Sequence, residues 1–157
     1  MATQCPNYSW DLFIDSSVTG DIALDGMYTI VGGLFNYNDS VLNSVSSTAL
    51  ERAGEINILG SPNLRTVDFP SVTAIPAQQM GLYSLPSLTT LNINQTGLFS
   101  LELDNTGLGP SFSGLGPGSV PYGSGIGING NPNLRHISLG ISHLDNNPSG
   151  GVMGFPL

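Results

Sequence analysis

The sequence predicts an all-β fold, a right-handed parallel β-solenoid with about two short strands in each coil of 21–25 residues. Three observations lead there. First, Ile56-x-Ile58-x-Gly60-x-Pro62-Asn63-Leu64-Arg65-x-Val67-x-Phe69 returns 70 residues later as Ile126-x-Ile128-x-Gly130-x-Pro132-Asn133-Leu134-Arg135-x-Ile137-x-Leu139. Looser copies lie between them, at Met80-x-Leu82 with Leu88-x-x-Leu91-x-Ile93, and at Leu91-x-Ile93 with Leu98-x-x-Leu101-x-Leu103. Second, apolar-x-apolar pairs begin at 22, 35, 45, 56, 67, 80, 91, 101, 126 and 137, mostly in steps of 10 to 13. Residues two apart share one side of a strand, and such steps are too short for a strand plus a helix. Third, 21 Gly and 11 Pro in 157 residues disfavour long helices.

Residues 1–20 read as an N-terminal cap, with Trp10, Tyr8, Leu12, Phe13 and Ile14 covering the open end of the first coil. The solenoid repeats then occupy 21–145. Within them Phe35 and Tyr37 read as an inward pair, as do Ile56 with Ile58, Val67 with Phe69, Leu91 with Ile93, and Ile126 with Ile128; Leu101 and Ile137 also point inward. Thr48 to Ala53 is the one stretch that could make a helical turn, capped by Ser47 or Thr48 with Glu51 at N3. Pro62-Asn63, Pro70, Pro76, Pro86 and Pro132-Asn133 fall between strands, where a missing donor is tolerated. The step of 25 between 101 and 126 implies a strand lost or degenerate near Phe112 to Leu115. With seven Gly and three Pro, 107–125 reads as an irregular coil or excursion loop. Residues 146–157 read as a truncated or disordered end.

Charged residues are only 9 % of the chain, with three Arg, no Lys and a net charge of −8. Nucleic-acid binding is excluded, because displacing counterions needs clustered cations. No apolar run is long enough to span a bilayer as a helix. Cys5 is the single cysteine, so neither an internal disulfide nor a thiolate metal cage is available. No cofactor is expected. Gly125-x-Gly127-x-x-Gly130 matches a dinucleotide fingerprint, but Asn131-Pro132 stands where the helix should begin. Asp15-x-Ser17-x-Thr19-Gly20 starts like a calcium loop, yet its twelfth position is Gly26 rather than a bidentate Glu. His136 and His143, seven residues apart, read as surface or turn residues rather than metal ligands.

The run Gly60-Ser-Pro-Asn-Leu-Arg-Thr-Val-Asp-Phe-Pro-Ser-Val-Thr-Ala-Ile75 resembles the receptor L-domain, a leucine-rich-repeat-like solenoid. It is most similar to fungal GPI-anchored cell-wall organisation proteins, and Leu85-Pro-Ser-Leu88-Thr-Thr-Leu91 has the same form. The resemblance covers about residues 20 to 145. It implies a secreted, glycosylated structural protein at the cell surface or in the wall. Members of that family carry a signal peptide, a Ser/Thr-rich stalk, an anchor signal and a cap with paired cysteines, none of which is visible here.

Outward residues of the second strand in each coil make a candidate binding stripe of Thr66, Asp68, Thr90, Asn92, His136 and Ser138, small and rich in hydroxyls. Its expected partner is a cell-wall polysaccharide or a surface protein. Sequons place candidate N-glycosylation at Asn7, Asn38 and Asn94. Solenoid lyases and hydrolases need converging carboxylates. Here Asp68 is the one acid read on the second face and Glu102 the one read on the first, so no catalytic residues are expected. The leading expectation is a non-catalytic wall protein. A glycan- or protein-binding module and a solenoid that self-associates through its ends are the alternatives.

Overall fold

The computed structural model describes residues 7–38, 41–73, 75, 79–93, 100–120 and 125–144; for 100, 111–120, 125–126 and 136–144 it describes the backbone only. In chain order the strands are β1 (Asn7–Tyr8), β2 (Leu12–Ile14), β3 (Gly20–Ala23), β4 (Thr29–Tyr37), β5 (Leu42–Ser46), β6 (Arg52–Leu59), β7 (Thr66–Phe69), β8 (Gln79–Leu85), β9 (Thr90–Ile93), β10 (Ser100–Thr106), β11 (Ser111–Val120), β12 (Gly125–Asn129) and β13 (His136–Leu144). From β3 onward the chain alternates between two walls. A larger sheet runs β4-β6-β8-β10-β12, with β1 and β2 both paired to the outer edge of β4. A smaller one runs β3-β5-β7-β9, and β11 pairs with β13 beside it. Every pairing is parallel, and the fold is the all-β solenoid expected from the repeats.

Register explains the repeat length. Leu12, Leu34, Ile56, Met80, Leu101 and Ile126 stand opposite one another in successive coils, at steps of 22, 22, 24, 21 and 25 residues. The next inward row is Ile14, Asn36, Ile58, Leu82, Leu103 and Ile128. Facing them from the smaller sheet are Val45, Val67, Phe69, Leu91 and Ile93, all buried. Leu50, Leu64, Val72, Ile75, Leu85, Leu88 and Leu108 close the core at the corners. Of the inward residues read from the sequence, Ile56, Ile58, Val67, Phe69, Leu91, Ile93, Leu101 and Ile128 are buried. Ile126 and Ile137 occupy the matching backbone positions, with side chains outside the described set.

Four expectations are corrected. Phe35 and Tyr37 point outward, and Leu34 and Asn36 take the inward places. The pattern misled because the inward pair contains an asparagine, and a slip of one residue exchanges the two faces of a strand. Asn36 is fully buried and satisfied: its amide donates to the Ile14 carbonyl (3.2 Å), and its oxygen accepts from the Ser61 hydroxyl. Thr48 to Ala53 is not helical. Ser47 does behave as a cap, accepting from the Leu50 N–H at 3.0 Å, but the Glu51 N–H is taken by the Tyr28 carbonyl of the preceding coil. Residues 111–120 are a ten-residue strand, not a loop. This is the strand hidden in the 25-residue step; Phe112 pairs in register with Ile137, and the register shifts after Gly114. Finally, Trp10 and Phe13 do not cover the core, being 77 % and 60 % exposed; Ile14, Tyr8 and Leu12 do that work.

The start of β4 carries one residue more than β6 between matched positions, Ile30 pairing with Ala53 and Gly33 with Glu55. The bulge pushes the Val31 and Gly32 carbonyls against Gly54, where a Cβ would collide with both. Asp11 completes the arrangement by accepting the Gly33 N–H at 2.8 Å.

Candidate functional site

Two outer faces carry the side chains with chemistry. On the smaller sheet, parallel register builds one polar column of Asp21, Ser44, Thr66 and Thr90 and a second of Ala23, Ser46, Asp68 and Asn92. The four expected residues Thr66, Asp68, Thr90 and Asn92 therefore lie side by side. His136 and Ser138 belong to the separate β11–β13 pair, opposite Ser111 and Ser113, and no ladder joins them to β9. Neighbouring coils are linked through side chains: the Ser44 hydroxyl donates to Asp21 (2.7 Å), and the Asn92 amide donates to Asp68 (2.8 Å). Asp21, Asn43, Ser44, Ser46, Arg65, Thr66 and Asp68 line a shallow groove of about 540 Å³. Arg65 holds the corner of that groove through its backbone, its N–H donating to the Asn43 carbonyl (2.8 Å) and its carbonyl accepting from Thr89 and Thr90. Arg135 repeats this, donating to Pro110.

The larger sheet presents something the sequence reading missed. Its outward columns are Phe13, Phe35, Asn57, Gly81, Glu102 and Gly127, then Tyr37, Leu59, Tyr83, Asp104 and Asn129. Phe13 stacks on Phe35 at 5.2 Å between ring centres and 21° between planes; Phe35 stacks on Tyr37 at 5.9 Å and 25°. Glycine makes room for the rings. Phe35 leans over Gly33 and Tyr83 over Gly81, so a Cβ at either position would meet the ring. Tyr83 donates its hydroxyl to Glu102, and the Asn57 amide donates to Glu55 at 2.8 Å. Burial, the Glu102 hydrogen bond and the charges of Glu102 and Asp104 push the Tyr83 phenol up to about 12. The missed signal was available, since counting 22 back from the firm pair Ile56 and Ile58 lands on Leu34 and Asn36, not on Phe35 and Tyr37.

Acids are more numerous on both faces than the sequence reading allowed. Asp21 joins Asp68 on the smaller sheet, and Glu55 and Asp104 join Glu102 on the larger. Asp21 and Asp68 are two coils and two residues apart, roughly 12 Å between Cα atoms from the usual strand spacing and rise. Glu102 and Asp104 alternate on one strand and project the same way from an open face. Neither pair can flank a scissile bond from opposite sides. Among the described residues no cluster of His, Cys, Asp and Glu could hold a metal ion, and no helix is long and apolar enough to cross a membrane.

Asn7 and Asn38 are exposed; Asn38 directly follows β4 with a left-handed φ of 54°. Asn94 and Cys5 lie outside the described residues, as do residues 146–157. Compared with protein-family models, with curated proteins and with solved structures, the chain has no match in any of the three.

Proposed function

We propose that this chain is a non-catalytic structural protein of the cell surface or cell wall, acting outside the cell in wall organisation. The observation that carries the non-catalytic half is the placement of the carboxylates. Asp68 and Glu102 project from different sheets with the hydrophobic core between them, and the acids that share a face do not oppose one another. Glycoside chemistry by acid and base, or by acid and nucleophile, needs carboxyl groups about 5–10 Å apart across a bond. The wall half rests on the receptor L-domain-like phrases. It is also supported by a surface with no Lys and two faces dressed in hydroxyls, amides and carboxylates.

The test is turnover. Purified protein incubated with β-glucan, chitin and pectin should release no reducing ends or unsaturated products above a boiled control. Cleavage that disappears in Glu102→Gln or Asp68→Asn would overturn the reading. Fractionating the native cells should recover the protein with the wall rather than the cytosol.

A further inference from the structure

Aromatic side chains ordinarily enter cores, where they contribute 150–250 Å² of buried surface each. Here, among the aromatic residues whose side chains are described, only Phe69 is buried. Phe13 is 60 % exposed and Tyr37 45 %, and both stack on the half-buried Phe35. The core does not need this row, since Leu12, Leu34 and Ile56 already fill the inward positions of the same strands. Glycines 33 and 81 leave the space into which Phe35 and Tyr83 lean. The row is rimmed by groups that bind hydroxyls: Glu55 and Asn57 on the next coil, Glu102 and Asp104 further along.

We propose that this outer face of the larger sheet, centred on Phe13, Phe35 and Tyr37 and continued by Asn57 and Tyr83, binds a neutral, linear β-linked glycan. A pyranose ring has a face of C–H bonds, weakly positive, which complements the negative face of an aromatic ring. Its equatorial hydroxyls point sideways, toward carboxylates and amides of the kind that rim the row. Among β-linked chains the 1,4-linked ones are extended ribbons that offer such faces in a line, and the columns of this sheet also run in a line along the solenoid axis. Charge selects the class. Glu55, Glu102 and Asp104 lie along the face and outnumber Arg52 at the head of β6, so a uronate or phosphorylated polymer would be repelled. A second copy of this chain fits poorly, because its apolar surface would strip water from Glu55, Asn57 and Glu102 without replacing their partners.

The proposal adds a ligand to the non-catalytic reading, and the two fail separately, one by absence of binding and the other by presence of turnover. The full chain is titrated calorimetrically with laminarihexaose, cellohexaose and chitohexaose, and with maltohexaose, an oligogalacturonate and decalysine as comparators. At least one β-linked hexasaccharide should bind tenfold or more tightly than any comparator. Phe13→Ala and Tyr37→Ala should each weaken it at least tenfold with an unchanged melting temperature. Val41→Ala, an exposed apolar residue just ahead of β5 on the smaller sheet, should leave affinity unchanged. The proposal is overturned if no β-linked hexasaccharide binds, if decalysine or the uronate binds better, or if Phe13→Ala only abolishes a dimer seen by light scattering.

Discussion

The two sheets share one core and yet present different exteriors. The smaller wall shows Ser44, Ser46, Thr66, Asp68, Thr90 and Asn92, short side chains joined coil to coil by hydrogen bonds. The larger wall shows Phe13, Phe35, Tyr37 and Tyr83, of which Phe35 and Tyr83 lean over glycine, with acids beside them. Inside, both are rows of mainly Leu, Ile, Val, Met and Phe, with Asn36 buried among them on the larger wall. The difference teaches that the coil repeat constrains only the inward half of each strand. Stacking coils about 4.8 Å apart demands matched inward side chains, whereas outward positions are free to take chemistry.

Substitutions can break that comparison. If one core serves both walls, Leu82→Ala behind the larger face and Leu91→Ala behind the smaller should cost alike, about 2–5 kcal/mol in chemical denaturation. A loss confined to one of them would mean two separate cores. Asn36→Ala should cost about 1–3 kcal/mol, because it strands the Ser61 hydroxyl and the Ile14 carbonyl in the interior. A neutral result would show that the buried amide is not needed to join β2, β4 and the corner after β6.

The larger face can be probed by titrating Tyr83. Its folded value lies above the ordinary 10, so the contribution of the neutral phenol is whole below pH 10 and is lost as pH rises toward 12. Phenolate absorbance should therefore show one tyrosine ionising late, and Glu102→Gln should bring it earlier, without fully restoring it, since burial remains. An unmoved transition would remove Glu102 from contact with the ring. Smallest of all, Thr90→Ala on the smaller face should change stability by about 0.5 kcal/mol or less. An effect matching that of its neighbour Leu91 would reverse the inside and outside of β9.

The fold was legible because its signal is redundant. Ile56 with Ile58, Val67 with Phe69 and Leu91 with Ile93 each repeat the same inward pair, and proline and glycine mark the corners between them. Even the hidden strand at 111–120 announced itself as a step twice the normal length. The outward stripe of Thr66, Asp68, Thr90 and Asn92 followed from alternation alone. What failed was the single coil whose inward pair is Leu34 and Asn36. A buried asparagine reads as surface, and the aromatic residues beside it read as core, so the rings of the larger face went unseen. His136 and Ser138 stand on β13, which pairs with β11 in a ladder separate from that of β9; similarity of phrase carries no information about which strand lies next door.

Parallel stacking has a last consequence, one of direction. Hydrogen bonds of the strands run along the axis, and so do several at the corners, from Glu51 to Tyr28, Arg65 to Asn43 and Gly107 to Leu85. A coil is thus tied along its strands to its neighbours, and to itself through tight turns such as Leu64 to Ser61, Val72 to Phe69 and Leu88 to Leu85. Such a rod unravels like a zipper, from an end inward, losing one rung at a time, and amide exchange should be slowest in β6 and β8, at the middle of the larger wall. Phe13 sits on an outer rung and Tyr83 on an inner one. The aromatic row therefore spans from the part of the molecule that opens most readily to the part that opens least.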